Sequence, residues 1–244
     1  MTGLRAGTMD SKYLGERGIP VSNTHAGNGT SSTAELAWGL IIASMRDLEK
    51  GMQNMRSGRW HEGVAAGIGL AGKRLGLIGL GKIGSYVGRV GTAFGMEVAA
   101  WSQNLTPEKA AAAGATYVSK EDLFAKADAI TIHVVLSDRS RGLVGAADLA
   151  RMKKTAYLVN TSRGPIIDEA ALIATLRDKR IAGAGLDVFD VEPLPLDHPY
   201  RTMDNVVITP HLGYVSTQNY AKYFPDIVTD IRAFLDGKPV RVIT

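Results

Sequence analysis

The chain has 244 residues, 45% of them hydrophobic and 21% charged, and a formal net charge of +4. This balance is typical of a soluble, core-forming protein of one or two domains, and the basic residues are scattered, so we expect no nucleic-acid partner. The absence of cysteine excludes disulfides, zinc–thiolate sites and iron–sulfur clusters, and no metal site is predicted. No apolar stretch is long enough to span a bilayer, so we expect a cytoplasmic protein with no membrane partner.

The opening stretch, up to about Asn23, is too short to fold alone, and a long helix from about Ser32 to Arg46 follows it. Apolar residues at helical spacing make this helix a core or dimer helix. From residue 75 onward, short apolar runs alternate with helical patterns. The predicted strands are Leu75–Ile78, Glu97–Trp101, Ala129–Val134, Ala156–Asn160, Gly183–Asp187 and Asn205–Thr209. The predicted helices between them are Lys82–Phe94, Thr106–Ala113, Glu121–Ala127, Ala146–Met152 and Glu169–Arg180.

Strand–helix alternation of this kind is typical of a parallel, doubly wound sheet with right-handed crossovers, so we predict a Rossmann-type α/β domain. Two of the helix starts carry capping signals. Ser119 and Asp122 form an S-x-x-D pattern, and Asp168 can cap the helix that follows it.

Both chain ends lie outside this alternation. The tail from about Ser216 carries a further helical pattern through Phe234. Because the first and the last segment of the chain both lie outside the sheet domain, they indicate a small second domain built from both chain ends. We therefore predict a nucleotide-binding domain at residues 24–213 and a thin second domain formed by residues 1–23 and 214–244.

The loop after the first predicted strand has the pattern G-x-G-x-x-G, formed by Gly79, Gly81 and Gly84. In such a turn the first glycine allows a tight bend, the second lets the backbone approach a pyrophosphate, and the third packs the helix against the strand. Lys82 and Ile83 open the helix, whose free N–H groups favour phosphates. A plain strand-to-helix turn is the alternative, but the strand before the loop and the helix after it favour a dinucleotide site.

The second predicted strand ends where many dinucleotide-binding domains have an acid that binds the adenosine ribose. Here Ser102 occupies that position and Gln103 follows it. There is no carboxylate to repel a 2′-phosphate, and no arginine follows the strand that would bind one. Arg139 and its charged neighbours, further along the chain, have the character of a solvated loop. The sequence therefore leaves both NAD and NADP open as the cofactor.

Polar side chains recur where the predicted strands end. The residues at or just beyond these ends are Ser102, His133 and the segments Asn160–Arg163, Asp187–Glu192 and Thr209–His211. In doubly wound sheets, ligands bind outside the carboxyl ends of the strands. We therefore expect these residues to form one shared site.

Arg163, Glu192 and His211 have the chemistry that reduction of a 2-oxo acid requires. Histidine is a natural proton donor near neutral pH, and a neighbouring carboxylate favours its charged form and fixes its tautomer. An arginine offers a planar fork to the substrate carboxylate and can polarise the keto oxygen. The alternatives are a buried core histidine for His211, a turn cap for Arg163 and a solvated loop acid for Glu192.

Three blocks of sequence carry a family resemblance. They are Asn160-Thr161-Ser162-Arg163-Gly164, Leu186-Asp187-Val188-Phe189 with Glu192-Pro193, and Thr209-Pro210-His211-Leu212-Gly213. Behind the glycine loop, they resemble the signature blocks of the D-isomer-specific 2-hydroxyacid dehydrogenases, which include glyoxylate/hydroxypyruvate reductases and phosphoglycerate dehydrogenases. The resemblance covers nearly the whole chain. It implies an oxidoreductase that transfers hydride between NAD(P)H and a small 2-oxo acid or D-2-hydroxy acid.

The same resemblance implies a role for each matching residue. Arg163 would bind and orient the substrate, His211 would be the acid/base, and Glu192 would be its partner. The backbone at Leu4 and Arg5 would bind the substrate carboxylate. The implied cofactor contacts are Gly79, Gly81, Lys82, Ile83, Gly84, Ser102, Gln103, His133, Thr161, Asp187 and Gly213. Among these, Asp187 would lie at the nicotinamide carboxamide, and Lys82 and Ile83 at the pyrophosphate.

The resemblance also implies a flavodoxin-like substrate domain, of which both chain ends would form a small remnant. Family members begin with a longer substrate domain, and this chain starts near the last strand of that domain. Either the start of the sequence is misassigned, or the protein is N-terminally truncated and is active or inactive in that form. The family's usual homodimer would pack along the helix from Ser32 to Arg46.

Two alternatives to the dehydrogenase stay open. The first is a non-catalytic dinucleotide-binding sensor, or an inactive truncated homologue, with the same fold. The second is a formate or phosphite dehydrogenase on the same scaffold. Formate dehydrogenases of this family pair the histidine with glutamine, so Glu192 favours hydroxy-acid chemistry.

Overall fold

The computed structural model describes residues 9–25 and 29–243. Leu4 and Arg5, predicted to bind the substrate carboxylate, lie outside the described residues. The chain divides into two compact units, which we call the sheet unit (Thr33–Gly213) and the terminal unit (the residues up to Ser32 and those from Tyr214 onward). Residues 24–32, predicted to belong to the nucleotide-binding domain, are grouped here with the chain ends. The assignment of the terminal unit to a substrate domain stays a prediction.

Within the described residues, seven parallel strands form the sheet, in the order β3-β2-β1-β4-β5-β6-β7. The strands are β1 Arg74–Ile78, β2 Glu97–Trp101, β3 Thr116–Tyr117, β4 Ala129–Ile132, β5 Tyr157–Asn160, β6 Gly183–Leu186 and β7 Val206–Ile208. The helices are α1 Ser11–Glu16, α2 Gly29–Met45, α3 Leu48–Arg56, α4 Lys82–Ala93, α5 Pro107–Ala112, α6 Lys120–Lys126, α7 Ala146–Leu149, α8 Glu169–Arg177 and α9 Thr217–Leu235. The strand order runs outward from β1 and β4 in both directions, so the predicted Rossmann-type, doubly wound α/β fold is confirmed.

The predicted strands are all present, and the differences lie at element ends and at the sheet edge. β4 stops at Ile132 rather than Val134. The backbone N–H of His133 still donates to the carbonyl of Ile78 at 2.7 Å, but β1 ends there and offers no further partner. Similarly, α7 ends at Leu149 rather than Met152. The edge strand β3 was not predicted, because its two residues are exposed and form no apolar run.

The two predicted helix caps are confirmed. Ser119 Oγ accepts a hydrogen bond from the backbone N–H of Asp122 at 3.0 Å. Asp168 Oδ1 accepts one from the backbone N–H of Ala171, also at 3.0 Å. Each oxygen satisfies an N–H group that has no partner inside its helix, which explains why α6 and α8 begin where they do.

Buried apolar side chains form two clusters in the sheet unit. β1 contributes Leu75 and Leu77 to one cluster and Ile78 to the other, because successive side chains of a strand point to opposite faces. A Cβ added to Gly185 of β6 would lie 2.9 Å from Leu40 Cβ, so this glycine allows α2 to pack closely against the sheet. The α2 segment within the sheet unit is therefore a core helix. The homodimer predicted along this helix stays a prediction.

Several polar contacts join the described residues of the terminal unit. An isolated antiparallel bridge joins Ser22 to Val242. The guanidinium of Arg241 donates to the carbonyl of Asp226 at 2.7 Å and pairs with the carboxylate of Asp230 at 2.7 Å. Much of the apolar surface of α9 is exposed. The exposed apolar side chains of α9 are Tyr220, Phe224, Val228, Ile231, Phe234 and Leu235.

Two kinds of feature are absent from the part of the chain that the structure describes. No helix there is long and apolar enough to cross a bilayer. In the same residues, no group of three or more histidines and acids is arranged to hold a metal ion. The cytoplasmic location expected from the sequence stays a prediction.

Candidate active site

The turn between β1 and α4 is a cradle that side chains would fill. Gly79 has a φ of 97°, and a Cβ there would lie 2.6 Å from the carbonyl oxygen of His133. A Cβ at Gly84 would collide with the carbonyl oxygen of Gly79. Helix α4 begins at Lys82, and its N-cap residue, Gly81, has no side chain that could cap the first turn. The N–H groups at a helix start have no partner within the helix, so those of Lys82 and Ile83 fit a pyrophosphate and the residues present suit a dinucleotide.

A cavity of about 400 Å³ adjoins this cradle. Its lining includes five of the predicted cofactor residues, namely Gly79, Gly81, Ser102, Gln103 and His133. Burial lowers the pKa of His133 to about 3, so its ring is neutral at physiological pH. The ring Nε2 lies 3.1 Å from Thr131 Oγ1, and Nδ1 has no hydrogen-bond partner among the described residues.

Two cationic residues, which the sequence did not connect with a cofactor site, also line this cavity. They are Lys109, on α5, and Arg139, in the loop that follows β4. Gln103 Nε2 donates to the carbonyl of Arg139 at 3.2 Å, which joins the two loops. Arg139 is exposed, as the interpretation of a solvated loop expects, and it also lines the cavity. No acidic residue occurs among the described residues that line the cavity.

The structure brings His211 and Glu192 into direct contact. His211 Nδ1 lies 2.6 Å from Glu192 Oε2, and the two side chains are 33% and 34% exposed. The other oxygen, Oε1, accepts a hydrogen bond from the backbone N–H of Phe189 at 3.0 Å. The backbone N–H of His211 is also held, at 2.9 Å from the carbonyl of Asp187 and 3.0 Å from that of Thr209. Both members of the pair are thus fixed at the carboxyl ends of β6 and β7.

Asp187 organises the turn that presents His211. Its carboxylate is fully buried and accepts hydrogen bonds from Thr209 Oγ1 at 2.6 Å, Leu212 N–H at 2.7 Å and Gly213 N–H at 2.9 Å. Burial raises the pKa of Asp187, and these hydrogen bonds oppose the rise. The predicted contacts of Asp187 and Gly213 with the cofactor stay predictions, because the contacts observed here join the two residues to each other.

Arg163 extends from a turn that other residues hold rigidly. Asn160 Nδ2 donates to the carbonyl of Arg163 at 2.9 Å, and Asn160 Oδ1 accepts from the N–H of Ser162 at 2.9 Å. A Cβ at Gly164 would collide with the backbone of Phe189, so the turn packs directly against the segment that leads to Glu192. The guanidinium itself is exposed and donates to the carbonyl of Ser162 at 2.6 Å.

A second cavity, of about 570 Å³, lies beside the histidine–glutamate pair. The residues that line it are Phe189, Glu192, Pro193, Leu194, Arg201, Ile208, Thr209, Pro210 and His211. Arg163 is not among the described residues that line either cavity. Thr161 is buried, and its Oγ1 has no hydrogen-bond partner within the described residues. The structure therefore brings His211 and Glu192 together and leaves Arg163 on a neighbouring loop.

Comparison with known proteins gives consistent matches. The model of the NAD-binding domain of D-isomer-specific 2-hydroxyacid dehydrogenases matches residues 38–213. A glyoxylate reductase from Aeropyrum pernix is 40% identical over 228 residues, which are 91% of this chain and 68% of that protein. A D-3-phosphoglycerate dehydrogenase from Methanocaldococcus jannaschii is 38% identical, with 97% of this chain covering 45% of that protein.

The solved structures agree with the sequence matches. A phosphoglycerate oxidoreductase from Vibrio cholerae O395 superimposes with a TM-score of 0.91 at 33% identity, covering 96% of this chain and 75% of the other. This chain therefore spans about two thirds of the glyoxylate reductase and less than half of the phosphoglycerate dehydrogenase.

Proposed function

This chain belongs to the D-isomer-specific 2-hydroxyacid dehydrogenase family, and from that premise we propose that His211 and Glu192 form its acid/base pair, with Arg163 as the substrate anchor. The protein is an oxidoreductase that transfers hydride between a nicotinamide dinucleotide and 2-oxo or 2-hydroxy acids. The observation that carries the proposal is the 2.6 Å contact between His211 Nδ1 and Glu192 Oε2, at the same sheet edge as the glycine cradle.

The contact supports a specific role for each ring nitrogen of His211. Because Nδ1 faces the carboxylate of Glu192, Nε2 is the ring nitrogen that can exchange a proton with the substrate. A reduced nicotinamide, when bound, supplies the hydride to the carbonyl carbon. The proton on His211 Nε2 then neutralises the developing alkoxide, and in the reverse direction the neutral ring accepts it. Glu192 stabilises the positive charge on the ring in the protonated state.

Arg163 would orient the substrate for this transfer. A guanidinium binds a carboxylate through two parallel hydrogen bonds, and such a fork fixes the plane of a 2-oxo acid. The exposed position of Arg163, on a turn braced by Asn160, leaves its donors accessible to a ligand. The substrate class proposed is a small 2-oxo acid such as glyoxylate or hydroxypyruvate.

We further propose NADP as the preferred cofactor. Lys109 and Arg139 line the 400 Å³ cavity together with Ser102 and Gln103, and its described lining contains no carboxylate. An adenosine 2′-phosphate adds negative charge that cations favour and an acid at this position would repel. The prediction is a lower KM for NADPH than for NADH. Arg139→Gln should weaken the binding of NADPH by roughly 10- to 100-fold with little effect on the binding of NADH. The control Lys126→Gln, at the end of α6 and outside the lining of this cavity, should alter the binding of neither nucleotide.

The experiment that tests the function follows oxidation of NADPH and NADH by the purified chain with glyoxylate, hydroxypyruvate and pyruvate. Turnover with at least one of these acids is expected. Tight nucleotide binding with no turnover on any 2-oxo acid would contradict the proposal and favour the sensor. Oxidation of formate or phosphite with no activity on 2-oxo acids would also contradict it.

A further inference from the structure

The segment between β6 and β7 carries Glu192, and we call residues 187–201 the Glu192 loop. We propose that Arg201, at the end of this loop, is a positioning residue that sets the Glu192 carboxylate against His211. The proposal rests on the proposed function of that pair. Its geometric part, the effect of Arg201 on the contact between the two side chains, can be measured without any turnover.

The guanidinium of Arg201 donates hydrogen bonds to two consecutive carbonyl groups of the loop. Its Nη2 donates to the carbonyl of Leu194 at 2.7 Å, and its Nε donates to that of Pro195 at 2.8 Å. Because the guanidinium is planar and its donors are fixed relative to one another, the two bonds restrain the orientation of both peptide groups. These peptides follow Glu192 closely, separated from it only by Pro193.

The other half of the loop is fixed from a different direction. Gly164 has no Cβ, which lets its turn pack against the backbone of Phe189. The N–H of Phe189 in turn donates to Glu192 Oε1 at 3.0 Å. Glu192 therefore lies between two restrained parts of the loop. Before it, the backbone of Phe189 is held against Gly164, and after it, Arg201 holds the carbonyl groups of Leu194 and Pro195. Both restraints act on backbone groups of the loop, and the Glu192 side chain is 34% exposed.

Arg201 has a firm support of its own. It ends the 3₁₀ turn Pro199–Arg201, which His198 caps by accepting from the N–H of Tyr200 at His198 Nδ1. Since Nδ1 is the acceptor, the ring proton lies on Nε2, which is 3.4 Å from Glu169 Oε1. The Tyr200 ring is buried and packs against His198 with 4.7 Å between ring centroids. The contact between His198 and Glu169 therefore joins the turn that carries Arg201 to α8.

A short charge-assisted contact is sensitive to small displacements. At 2.6 Å, the contact between Glu192 and His211 is near the lower limit for such a bond, and moving the carboxylate by a fraction of an ångström removes much of its strength. Without the fork of Arg201, the loop after Glu192 gains freedom, and the carboxylate moves away from the ring for part of the time. The protonated ring would then lose part of its counter-charge.

The test compares Arg201→Lys, which keeps the charge but not the fork, with Arg201→Gln and with the control Arg180→Lys. Arg180 is an exposed arginine in the turn that follows α8, and it lies outside both cavities. The chain has five histidines, so the ring Nδ1–H resonance of His211 can be assigned in a ¹⁵N-histidine spectrum by its loss in His211→Gln. Thermal unfolding and nucleotide binding confirm that each variant is folded.

We expect the downfield Nδ1–H resonance of His211 to move upfield and broaden in both Arg201 variants, and to stay unchanged in Arg180→Lys. In the same variants kcat should fall by roughly 10- to 100-fold with the nucleotide KM unchanged. The limb of the pH profile on which reduction declines should move to lower pH, because the protonated ring has lost counter-charge.

An unchanged Nδ1–H resonance in folded Arg201→Lys and Arg201→Gln would overturn the proposal. A fall in kcat without any change in that resonance or in the pH profile would overturn it as well, since Arg201 would then act on something other than the pair. If the wild-type chain shows the resonance but no turnover, the proposed function fails while the effect of Arg201 on the pair is still decided by the spectra.

Discussion

The sheet unit and the terminal unit differ in how they dispose of their apolar side chains. In the sheet unit, apolar residues of strands and helices form two buried clusters. In the terminal unit, the helix α9 leaves much of its apolar surface exposed, and Phe224 is an example at 61%. Among the described residues of the terminal unit, Arg241 makes polar contacts with Asp226 and Asp230 of α9.

The difference shows where the stability and the chemistry of this chain reside. Burial of apolar area is the main favourable term in folding, so the sheet unit can hold its side chains in fixed positions. The contact between His211 and Glu192, the cradle and both cavities all involve residues of the sheet unit. Substitutions in the sheet unit should therefore have large effects, and matching substitutions in the terminal unit should have small ones.

The largest effect is expected at the histidine of the pair. In His211→Gln, loss of the proton donor should lower kcat by roughly 10²–10⁴-fold, because general acid–base catalysis contributes about that factor. Nucleotide binding should be unchanged, since His211 does not line the 400 Å³ cavity. Steady-state kinetics and nucleotide titration measure the two quantities. Turnover equal to that of the wild type would remove His211 from the mechanism.

The next largest effect is expected in the core of the sheet unit. Phe124 on α6 is fully buried, and Phe124→Ala should lower the free energy of unfolding by about 3–5 kcal/mol through lost transfer energy and a cavity. Chemical denaturation followed by circular dichroism gives this value. A loss below about 1 kcal/mol would mean that the core around α6 repacks freely, which would weaken the contrast between the two units.

A smaller, pH-dependent effect is expected in the terminal unit. The hydrogen bonds between His25 and Asp226 lower the pKa of Asp226 below its usual value. A carboxyl group whose pKa is lower in the folded state contributes stability above its unfolded pKa of about 4, and this contribution is lost as the pH falls through the lower folded value. The protection factors of the α9 amides, which are exchange rates corrected for the intrinsic rate at each pH, should therefore fall below about pH 4. Asp226→Asn should abolish this fall, and an identical fall in that variant would assign it to other groups.

The smallest effect is expected from the exposed counterpart of Phe124. Phe224→Ala makes the same chemical change on α9 in the terminal unit, where the side chain is mostly exposed. The free energy of unfolding should change by no more than about 0.5 kcal/mol, as is usual for surface positions. Denaturation of the two alanine variants under the same conditions makes the comparison direct. A loss similar to that of Phe124→Ala would show that a partner covers α9 in solution.

The sequence predicted the fold well where each element has its own local signal. Apolar runs placed six strands, and the capping oxygens of Ser119 and Asp168 placed two helix starts. Other features lack such signals. β3 consists of two exposed residues, and α3 has few apolar residues, of which Met52 and Met55 are exposed. The end of β4 depends on where its neighbour β1 stops, which no pattern within β4 reveals.

The residues of the candidate site were also predicted only in part from the sequence. The contact between His211 and Glu192 was predictable, because both residues belong to motifs at strand ends. Lys109 and Arg139 were missed as cavity residues, since only the folded sheet brings the loops after β2 and β4 together. Arg201 was missed because its contacts are hydrogen bonds from a side chain to backbone carbonyls, which leave no trace in the pattern of residue types.

The central claim, that this chain transfers hydride to a 2-oxo acid, is tested most directly by following the hydride itself. The wild-type chain is incubated with NADPH carrying deuterium at the transferable position of the nicotinamide, and with glyoxylate, hydroxypyruvate or pyruvate. We predict a 2-hydroxy acid product that contains one deuterium on the carbon that was the carbonyl, as read by mass spectrometry. Product without deuterium, or no product from any of the three acids when the nucleotide is bound, would contradict the claim.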